Sequence, residues 1–292
     1  MTMAAVDNGA VRLASWPASA GAATILFLNG RADFIEKYSE AYWHWRDRGL
    51  GLVTFDWRGQ GLSPAAGLSR DRFEAWLGDL DTIIAAIAED TTGPLVLAGH
   101  SMGGHLALRW LARNAGQRGF RRALLFAPMA GIATHGAPGL ALAATARLMV
   151  ALGRGDRYPP GQGPYGAMSR STHRQRRLTS DADRFADEGW WIDGNPALAS
   201  NGATWSWIDA ALASCRRLAA PGAPERIDIP VDIFMGANEQ LVDVAAARAI
   251  TARLRAGSWH EVPGAAHELL REASAIQANM HAKADRLLAE AL

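Results

Sequence analysis

The sequence predicts an α/β fold: a mostly parallel central sheet with flanking helices and a helical cap inserted late in the chain. Three observations lead to this prediction. Short apolar runs that suit buried strands alternate with stretches of helical periodicity, which is typical of βαβ units. A Gly-x-Ser-x-Gly pentapeptide at residues 99–103 separates one such run from a helix-like stretch. The signals for strands stop after Pro128 and return near residue 229.

The strands are predicted from apolar runs or from alternation of apolar and polar residues. The first one alternates, follows the turn signal Asp7-Asn8-Gly9 and is stopped by Pro17. The second is apolar throughout, so both of its faces should be buried. In chain order, the predicted strands are residues 11–16, 24–28, 51–55, 94–98, 123–126, 229–236 and 258–262.

The helices are predicted from apolar or aromatic residues that recur every three or four positions. The first of them is stopped by Gly49, a residue that commonly ends helices. The predicted helices are residues 33–48, residues 73–87, the stretch that follows Ser101, and residues 273–292.

Residues 129–226 lack strand signals and contain Gly/Pro-rich breaks, so we predict a helical cap there and a core formed by residues 1–128 and 227–292. A basic cluster at residues 170–177 is either a solvated face or a contact for lipid head groups. Four tryptophans either build the core of the cap or line a pocket for an apolar substrate. They are Trp190, Trp191, Trp205 and Trp207.

The pentapeptide predicts a nucleophile elbow, because it lies between a strand and a helix. Ser101 would occupy the tip of a strained turn, with its hydroxyl held above the sheet. Gly99 and Gly103 suit this turn, since side chains there would collide with the neighbouring strand and helix. A serine hydroxyl needs a base to remove its proton and a carboxylate to orient that base.

Three histidines follow the last strand-end acid and are candidates for the base. His260 lies inside a predicted strand, where the sheet would fix it. His281 lies on the terminal helix and is expected at the surface. His267 lies in a loop directly after a strand, from which it could reach Ser101, so we predict His267 as the base.

The orienting acid has two candidates. Glu239 lies in the loop that follows the strand ending at Gly236. Asp243 lies one helical turn later, where an aspartate more often caps a helix. We favour Glu239 and keep Asp243 as the alternative.

Acyl transfer also requires two donors for the developing oxyanion. The backbone N–H groups of Met102 and Arg31 are the candidates, because they follow the nucleophile and an earlier strand end. Gly30 permits close approach of the backbone at this point, although Asn29-Gly30 alone could be a simple turn. His100 is expected to shape the site rather than to act as a second base.

Composition excludes several classes of function. The net charge of +1 gives no reason to expect nucleic acid as a partner, and a single cysteine excludes an internal disulfide. The chain opens without a basic segment followed by a long apolar core, and residues 138–152 are too short to span a bilayer. We therefore expect a soluble, cytoplasmic protein that needs neither a metal nor an organic cofactor.

Four segments carry a resemblance to a known family, and they are residues 29–31, 56–63, 99–104 and 264–268. From about residue 24 onward the chain resembles the α/β-hydrolase branch that holds lysophospholipase L2, monoacylglycerol lipase and serine aminopeptidases. The resemblance implies the α/β-hydrolase fold, with Ser101 as nucleophile and His267 as base. It also implies Arg31 and Met102 as oxyanion donors. Glu239 occupies the slot where most members have aspartate, which favours it over Asp243.

These observations predict hydrolysis of carboxylic esters through an acyl-enzyme. The resemblance and the apolar cap favour a substrate with a fatty acyl chain, a lysophospholipid or a monoacylglycerol, with transient contact between the cap and a membrane surface. A short-chain carboxylesterase and a serine aminopeptidase are the alternatives. A protein that keeps the fold but only binds a ligand is a further one.

Overall fold

An eight-stranded sheet lies at the centre of the computed structural model, which describes residues 2–6, 9–68, 71–91, 93–116, 119–134 and 139–290. Within these residues the strands are β1 (Thr2–Val6), β2 (Gly9–Trp16), β3 (Thr24–Leu28), β4 (Gly51–Phe55), β5 (Leu95–His100), β6 (Phe120–Phe126), β7 (Val231–Gly236) and β8 (Gly257–Val262). Their order across the sheet is β1-β2-β4-β3-β5-β6-β7-β8. The pairs β1–β2 and β2–β4 are antiparallel, and the remaining pairs are parallel. The predicted fold class is confirmed.

The inner strands are the ones that the sequence predicts best. β3 and β4 have the predicted bounds and are buried along their whole length, as both-face burial requires. β1 is an addition that the sequence analysis missed, and it pairs with β2 at the edge of the sheet. The turn predicted at Asp7-Asn8-Gly9 falls partly on residues 7 and 8, which lie outside the described residues.

The described residues form helices α1 (Ser39–Arg46), α2 (Arg72–Asp90), α3 (Met102–Arg113), α4 (Gly139–Ala151), α5 (Thr172–Leu178), α6 (Ala182–Gly194), α7 (Trp205–Ala219), α8 (Val244–Arg253) and α9 (Ser274–Ala289). The continuous helix predicted over residues 33–48 is wrong. Phe34 is extended, a 3-10 helix covers Ile35–Tyr38, and α1 begins only afterwards. The cause is Asp33, whose carboxylate accepts hydrogen bonds from Gly30 N–H and from Tyr38, holding this stretch in a tight turn.

His281 is also placed differently from the prediction. It is on α9 as expected, but only 7% of it is exposed. Its ring stacks on His44, with 3.9 Å between the ring centroids. Burial, helped by the nearby His44, lowers the pKa of His281 to about 4, so this side chain is a neutral packing residue.

Between β6 and β7 the described chain forms helices α4 to α7, and we refer to residues 129–226 as the helical segment. Trp205 packs with Ala146 and Ile208 in a small apolar cluster inside the segment. Trp191 packs against a cluster around Phe34, whereas Trp190 is exposed. Among the described residues, none of the helices combines the length and apolar character that crossing a bilayer requires.

Parallel strands direct their carboxyl ends to one edge of the sheet. The loops that leave β3, β5, β7 and β8 therefore begin at the same edge. In open α/β sheets this edge is where ligands bind. Four of the candidate residues from the sequence lie in these loops, and they are Arg31, Ser101, Glu239 and His267.

Candidate active site

Ser101 forms the turn between β5 and α3. Its backbone has φ 51° and ψ −113°, a conformation that non-glycine residues rarely adopt. The turn is held by hydrogen bonds on both sides, from Ser101 N–H to Phe126 O (2.9 Å) and from Met129 N–H to Ser101 O (3.0 Å). The strained backbone is thus fixed by the adjacent end of β6, and the side chain remains partly exposed.

The glycines of the pentapeptide are required by close packing. A Cβ on Gly99 would come within 2.9 Å of the backbone of Gly103 and Gly104. A Cβ on Gly103 would overlap the carbonyl oxygens of Leu28 and Asn29, at the end of β3. Both glycines therefore allow the turn to approach its neighbours, as the motif predicts.

The structure brings Ser101, His267 and Glu239 together in one hydrogen-bonded chain. His267 Nε2 lies 3.0 Å from Ser101 Oγ, and His267 Nδ1 lies 2.7 Å from Glu239 Oε2. A carboxylate at Nδ1 fixes the proton there, which leaves Nε2 free to accept the serine proton. The side chains of His267 and Glu239 are buried. The arrangement has the connectivity of a nucleophile, a base and an orienting acid.

Glu239 is held by its own loop as well as by the histidine. Its Oε1 accepts hydrogen bonds from the N–H groups of Leu241 (2.6 Å) and Val242 (3.1 Å). Burial raises the pKa of Glu239, but the charge and hydrogen bond of His267 and the two N–H groups outweigh it and lower the pKa. Burial lowers the pKa of His267, but the charge and the hydrogen bond of the Glu239 carboxylate outweigh burial, so the pKa of His267 is raised. The carboxylate form of Glu239 is therefore favoured, and its charge stabilises the imidazolium that forms when His267 takes up a proton.

The alternative acid, Asp243, has a different place. Its side chain accepts a hydrogen bond from Ala246 N–H (3.0 Å) and caps α8. The histidine's Nδ1 is bonded to Glu239, so the structure joins His267 to the favoured candidate.

The two candidate oxyanion donors lie on either side of the serine. Met102 is the first residue of α3, and Arg31 follows Gly30, where an added Cβ would lie 3.4 Å from Ser101 Cβ. Within the described parts of the chain, neither the Met102 N–H nor the Arg31 N–H donates to an acceptor. The positive φ of Ala32 (63°) and a hydrogen bond from its N–H to Gln60 Oε1 fix the loop after Arg31. Two free donors beside a nucleophile could stabilise an oxyanion.

Comparison with known proteins agrees with this geometry. Residues 20–274 match the family described as serine aminopeptidase, S33. The chain belongs to the serine aminopeptidase S33 family. A probable lysophospholipase L2 from Haemophilus influenzae is 30% identical over 274 residues, which cover 90% of this chain and 83% of that protein.

Solved structures show the same fold at low sequence identity. A monoglyceride lipase from Saccharomyces cerevisiae in complex with a substrate analog has a TM-score of 0.78 at 16% identity, covering 99% of this chain and 94% of that one. A monoacylglycerol lipase from Paleococcus ferrophilus has a TM-score of 0.70 at 18% identity, covering 96% and 98%. The S33 chain is therefore an α/β-hydrolase, as its motifs predicted.

This S33 family member also contains a buried charge cluster that the sequence analysis missed. Lys37 Nζ lies 2.7 Å from Asp33 Oδ1, 2.9 Å from Glu188 Oε2 and 2.7 Å from Glu268 Oε1. Arg271 adds a second cation, and its guanidinium nitrogen lies 2.8 Å from Glu268 Oε2. The i,i+4 spacing of Asp33 and Lys37 was the one readable signal, because Glu188 comes from α6, far away in the chain.

His100 connects the charge cluster to residues 263–268, which we call the histidine loop. Its Nδ1 lies 2.7 Å from the hydroxyl of Tyr38, which donates to Asp33, and its Nε2 lies 3.2 Å from the backbone oxygen of His267. Since Nε2 faces a carbonyl oxygen, which can only accept, Nε2 carries a proton and donates. His100 thereby contacts the backbone of His267, the candidate base.

Proposed function

We propose that this protein hydrolyses the carboxylic ester of a lipid with a single fatty acyl chain, a lysophospholipid or a monoacylglycerol. The observation that carries the proposal is the hydrogen-bonded chain from Ser101 Oγ through His267 to Glu239. The relatives named lysophospholipase and monoglyceride lipase support the substrate class.

The reaction follows from the roles that this geometry allows. His267 Nε2 removes the proton of Ser101 as Oγ attacks the ester carbonyl, and Glu239 stabilises the imidazolium that forms. The oxyanion of the tetrahedral intermediate accepts from the N–H groups of Arg31 and Met102. His267 then protonates the leaving alcohol. In the second half, His267 activates a water that attacks the acyl-enzyme and releases the fatty acid and Ser101.

The helical segment acts as a cap over this site. Its Asn201 accepts a hydrogen bond from the Arg31 guanidinium through the backbone oxygen (2.6 Å), and its Glu188 joins the buried charge cluster. The segment therefore contacts Lys37 and the loop at residues 29–34, which we call the oxyanion loop. These contacts support a boundary of residues 1–128 and 227–292 for the core and 129–226 for the cap.

Helix α4 supports contact with a lipid surface. Leu140 on this helix is 86% exposed, and Leu148 on the helix and Leu152 directly after it are more than half exposed. Exposed leucines in one apolar helix are typical of segments that insert shallowly into a bilayer. Replacing Leu148 and Leu152 by glutamine should reduce cosedimentation with phosphatidylcholine vesicles, while hydrolysis of a water-soluble ester remains.

A panel of substrates tests the proposal. It comprises lysophosphatidylcholine, a monoacylglycerol, p-nitrophenyl esters from acetyl to palmitoyl and an aminoacyl p-nitroanilide, with Ser101→Ala as the control. We expect turnover of the two lipids and of long-chain esters, all lost in Ser101→Ala. Preference for the amide would contradict the ester substrate, and preference for acetyl over palmitoyl would contradict the fatty acyl chain.

A further inference from the structure

A polar cavity of about 270 Å³ lies beside the oxyanion loop, between the core and the helical segment. Arg31, Gln60 and Arg72 line it from the core, and Tyr158, Asn201 and Trp207 line it from the helical segment. It is separate from the hydrogen-bonded chain of Ser101, but it shares Arg31 with the proposed oxyanion site. A group bound in this cavity would lie next to an ester undergoing hydrolysis.

The charge of the cavity is positive. Two guanidinium groups line it, and none of the described residues that line it is an aspartate or a glutamate. Arg31 donates to Asn201 O and lies over the ring of Trp207, 5.0 Å from its centroid. Arg72 has neither a hydrogen bond nor an ion pair to any described side chain. The cavity therefore carries two cations without an anion of its own.

Holding the positive charge of Arg31 at this cavity costs the protein free energy. Burial, together with the nearby Arg174 and Arg72, lowers the pKa of Arg31 to about 10. Asp33 lies near enough to oppose this shift, but its oxygens already bind Lys37, Tyr38 and Gly30 N–H. A guanidinium whose pKa falls in this way is one that an anionic ligand would stabilise.

Two of the residues that line the cavity each carry a further donor that lacks an acceptor among the described residues. The donors are Gln60 Nε2 and Trp207 Nε1, and both are buried. The other end of the Gln60 amide is occupied, since its Oε1 accepts from Ala32 N–H (2.5 Å). Buried donors without partners cost free energy, so a ligand rich in acceptor oxygens is the chemistry that suits this cavity.

The two arginines, Arg31 and Arg72, indicate which chemical group would bind in the cavity. A planar guanidinium matches the oxygens of a phosphate with paired hydrogen bonds. Through its backbone Arg31 faces the proposed oxyanion, and through its side chain it reaches the cavity, so an ester and a phosphate could be bound together. In a lysophospholipid these two groups are joined by the glycerol backbone.

We propose that this cavity binds the phosphate of the substrate head group, and that the enzyme therefore prefers lysophospholipids to neutral monoacylglycerols. The inference rests on the proposed ester hydrolysis and goes beyond it by naming the head group. It also disfavours the aminopeptidase alternative, because a substrate with a free ammonium group would meet two like charges here.

Kinetics of Arg72→Gln test the inference. Lysophosphatidylcholine and a monoacylglycerol with the same acyl chain are compared below their micelle-forming concentrations. Charge-assisted hydrogen bonds contribute enough that the KM for the lysophospholipid should rise roughly tenfold or more relative to that for the monoacylglycerol. Arg121→Gln, which removes an exposed arginine at the start of β6, is the matched control and should leave this ratio unchanged. An unchanged ratio in Arg72→Gln would overturn the inference.

Calorimetric binding of glycerophosphocholine separates the inference from the proposed function, because it needs no turnover. We expect binding by the wild type that is at least tenfold weaker in Arg72→Gln. Inorganic phosphate is the second probe and glycerol the third. Binding of inorganic phosphate without glycerophosphocholine, or no binding of either, would overturn the head-group site. Failure to hydrolyse any ester while glycerophosphocholine still binds would overturn the proposed function alone.

Discussion

Lys37 Nζ lies 2.7 Å from Glu268 Oε1, and Glu268 directly follows the histidine that contacts Ser101. The same ammonium group contacts Glu188 of the helical segment and Asp33 of the oxyanion loop. One buried cation thus joins three parts of the chain that surround the candidate active site. Removing one partner from a buried ionic cluster is far more damaging than replacing the whole cluster.

Lys37→Met should therefore destabilise the protein strongly, because it leaves three buried carboxylates without their shared cation. We expect the free energy of unfolding in urea to fall by about 3–5 kcal/mol. The chain contains one other lysine, Lys283, and Lys283→Met is the matched control. It should change the free energy of unfolding by less than about 0.5 kcal/mol. Equal stability of the two variants would show that the cluster contributes little.

Glu239→Gln should reduce kcat for ester hydrolysis by roughly 10³–10⁴-fold, since the amide no longer fixes the proton on His267 Nδ1 or stabilises the imidazolium. Asp243→Asn is the control, because asparagine caps a helix about as well as aspartate and α8 should remain intact. We expect it to retain activity. Loss of activity in Asp243→Asn together with retention in Glu239→Gln would reverse the assignment of the acid.

The pH dependence of kcat/KM should report the raised pKa of His267. The base must be neutral to accept the serine proton, so activity should rise as pH increases through the pKa of His267. Because the carboxylate of Glu239 raises this pKa, we expect the acid limb above the ordinary histidine value of 6.5. In Glu239→Gln the residual activity should have its acid limb at lower pH. An acid limb at the same pH in the wild type and in Glu239→Gln would show that Glu239 does not set the pKa of His267.

Gly103→Ala should destabilise the elbow. The new Cβ would overlap two backbone carbonyl oxygens at the end of β3, which cannot move without displacing the loop that holds Arg31. Overpacking of this kind costs about 1–3 kcal/mol or more, and activity should fall with it. Gly194→Ala, where a Cβ meets no atom within 4 Å, is the control for thermal unfolding and activity. A Gly103→Ala variant with the stability of Gly194→Ala would contradict the packing account.

Local patterns were sufficient for the inner strands and for the elbow. β3 and β4 could be read from continuous apolar runs, because burial on both faces leaves no polar alternation. The pentapeptide predicted the turn at Ser101, because its glycines allow the backbone to approach the nearest strand and helix closely. His267 and Glu239 could be selected by their position after strands, since parallel strands direct those loops to one edge.

Features that depend on distant contacts could not be read in this way. Glu188 joins Lys37 only when α6 packs against the 3-10 helix before α1, and nothing in its local sequence indicates this. His281 looked like a surface residue because a helix pattern does not reveal its stacking on His44. The break at Phe34 arises from hydrogen bonds of Asp33, which compete with a regular helix start.

The central claim is that Ser101 is a nucleophile activated by His267, and covalent labelling tests it most directly. A fluorophosphonate probe added to the folded protein should modify Ser101, as located by peptide mass spectrometry, and should leave Ser101→Ala unlabelled. The rate of labelling should fall at least about a hundredfold in His267→Gln, because the base is lost. Wild-type protein that remains unlabelled at Ser101 under these conditions would contradict the account.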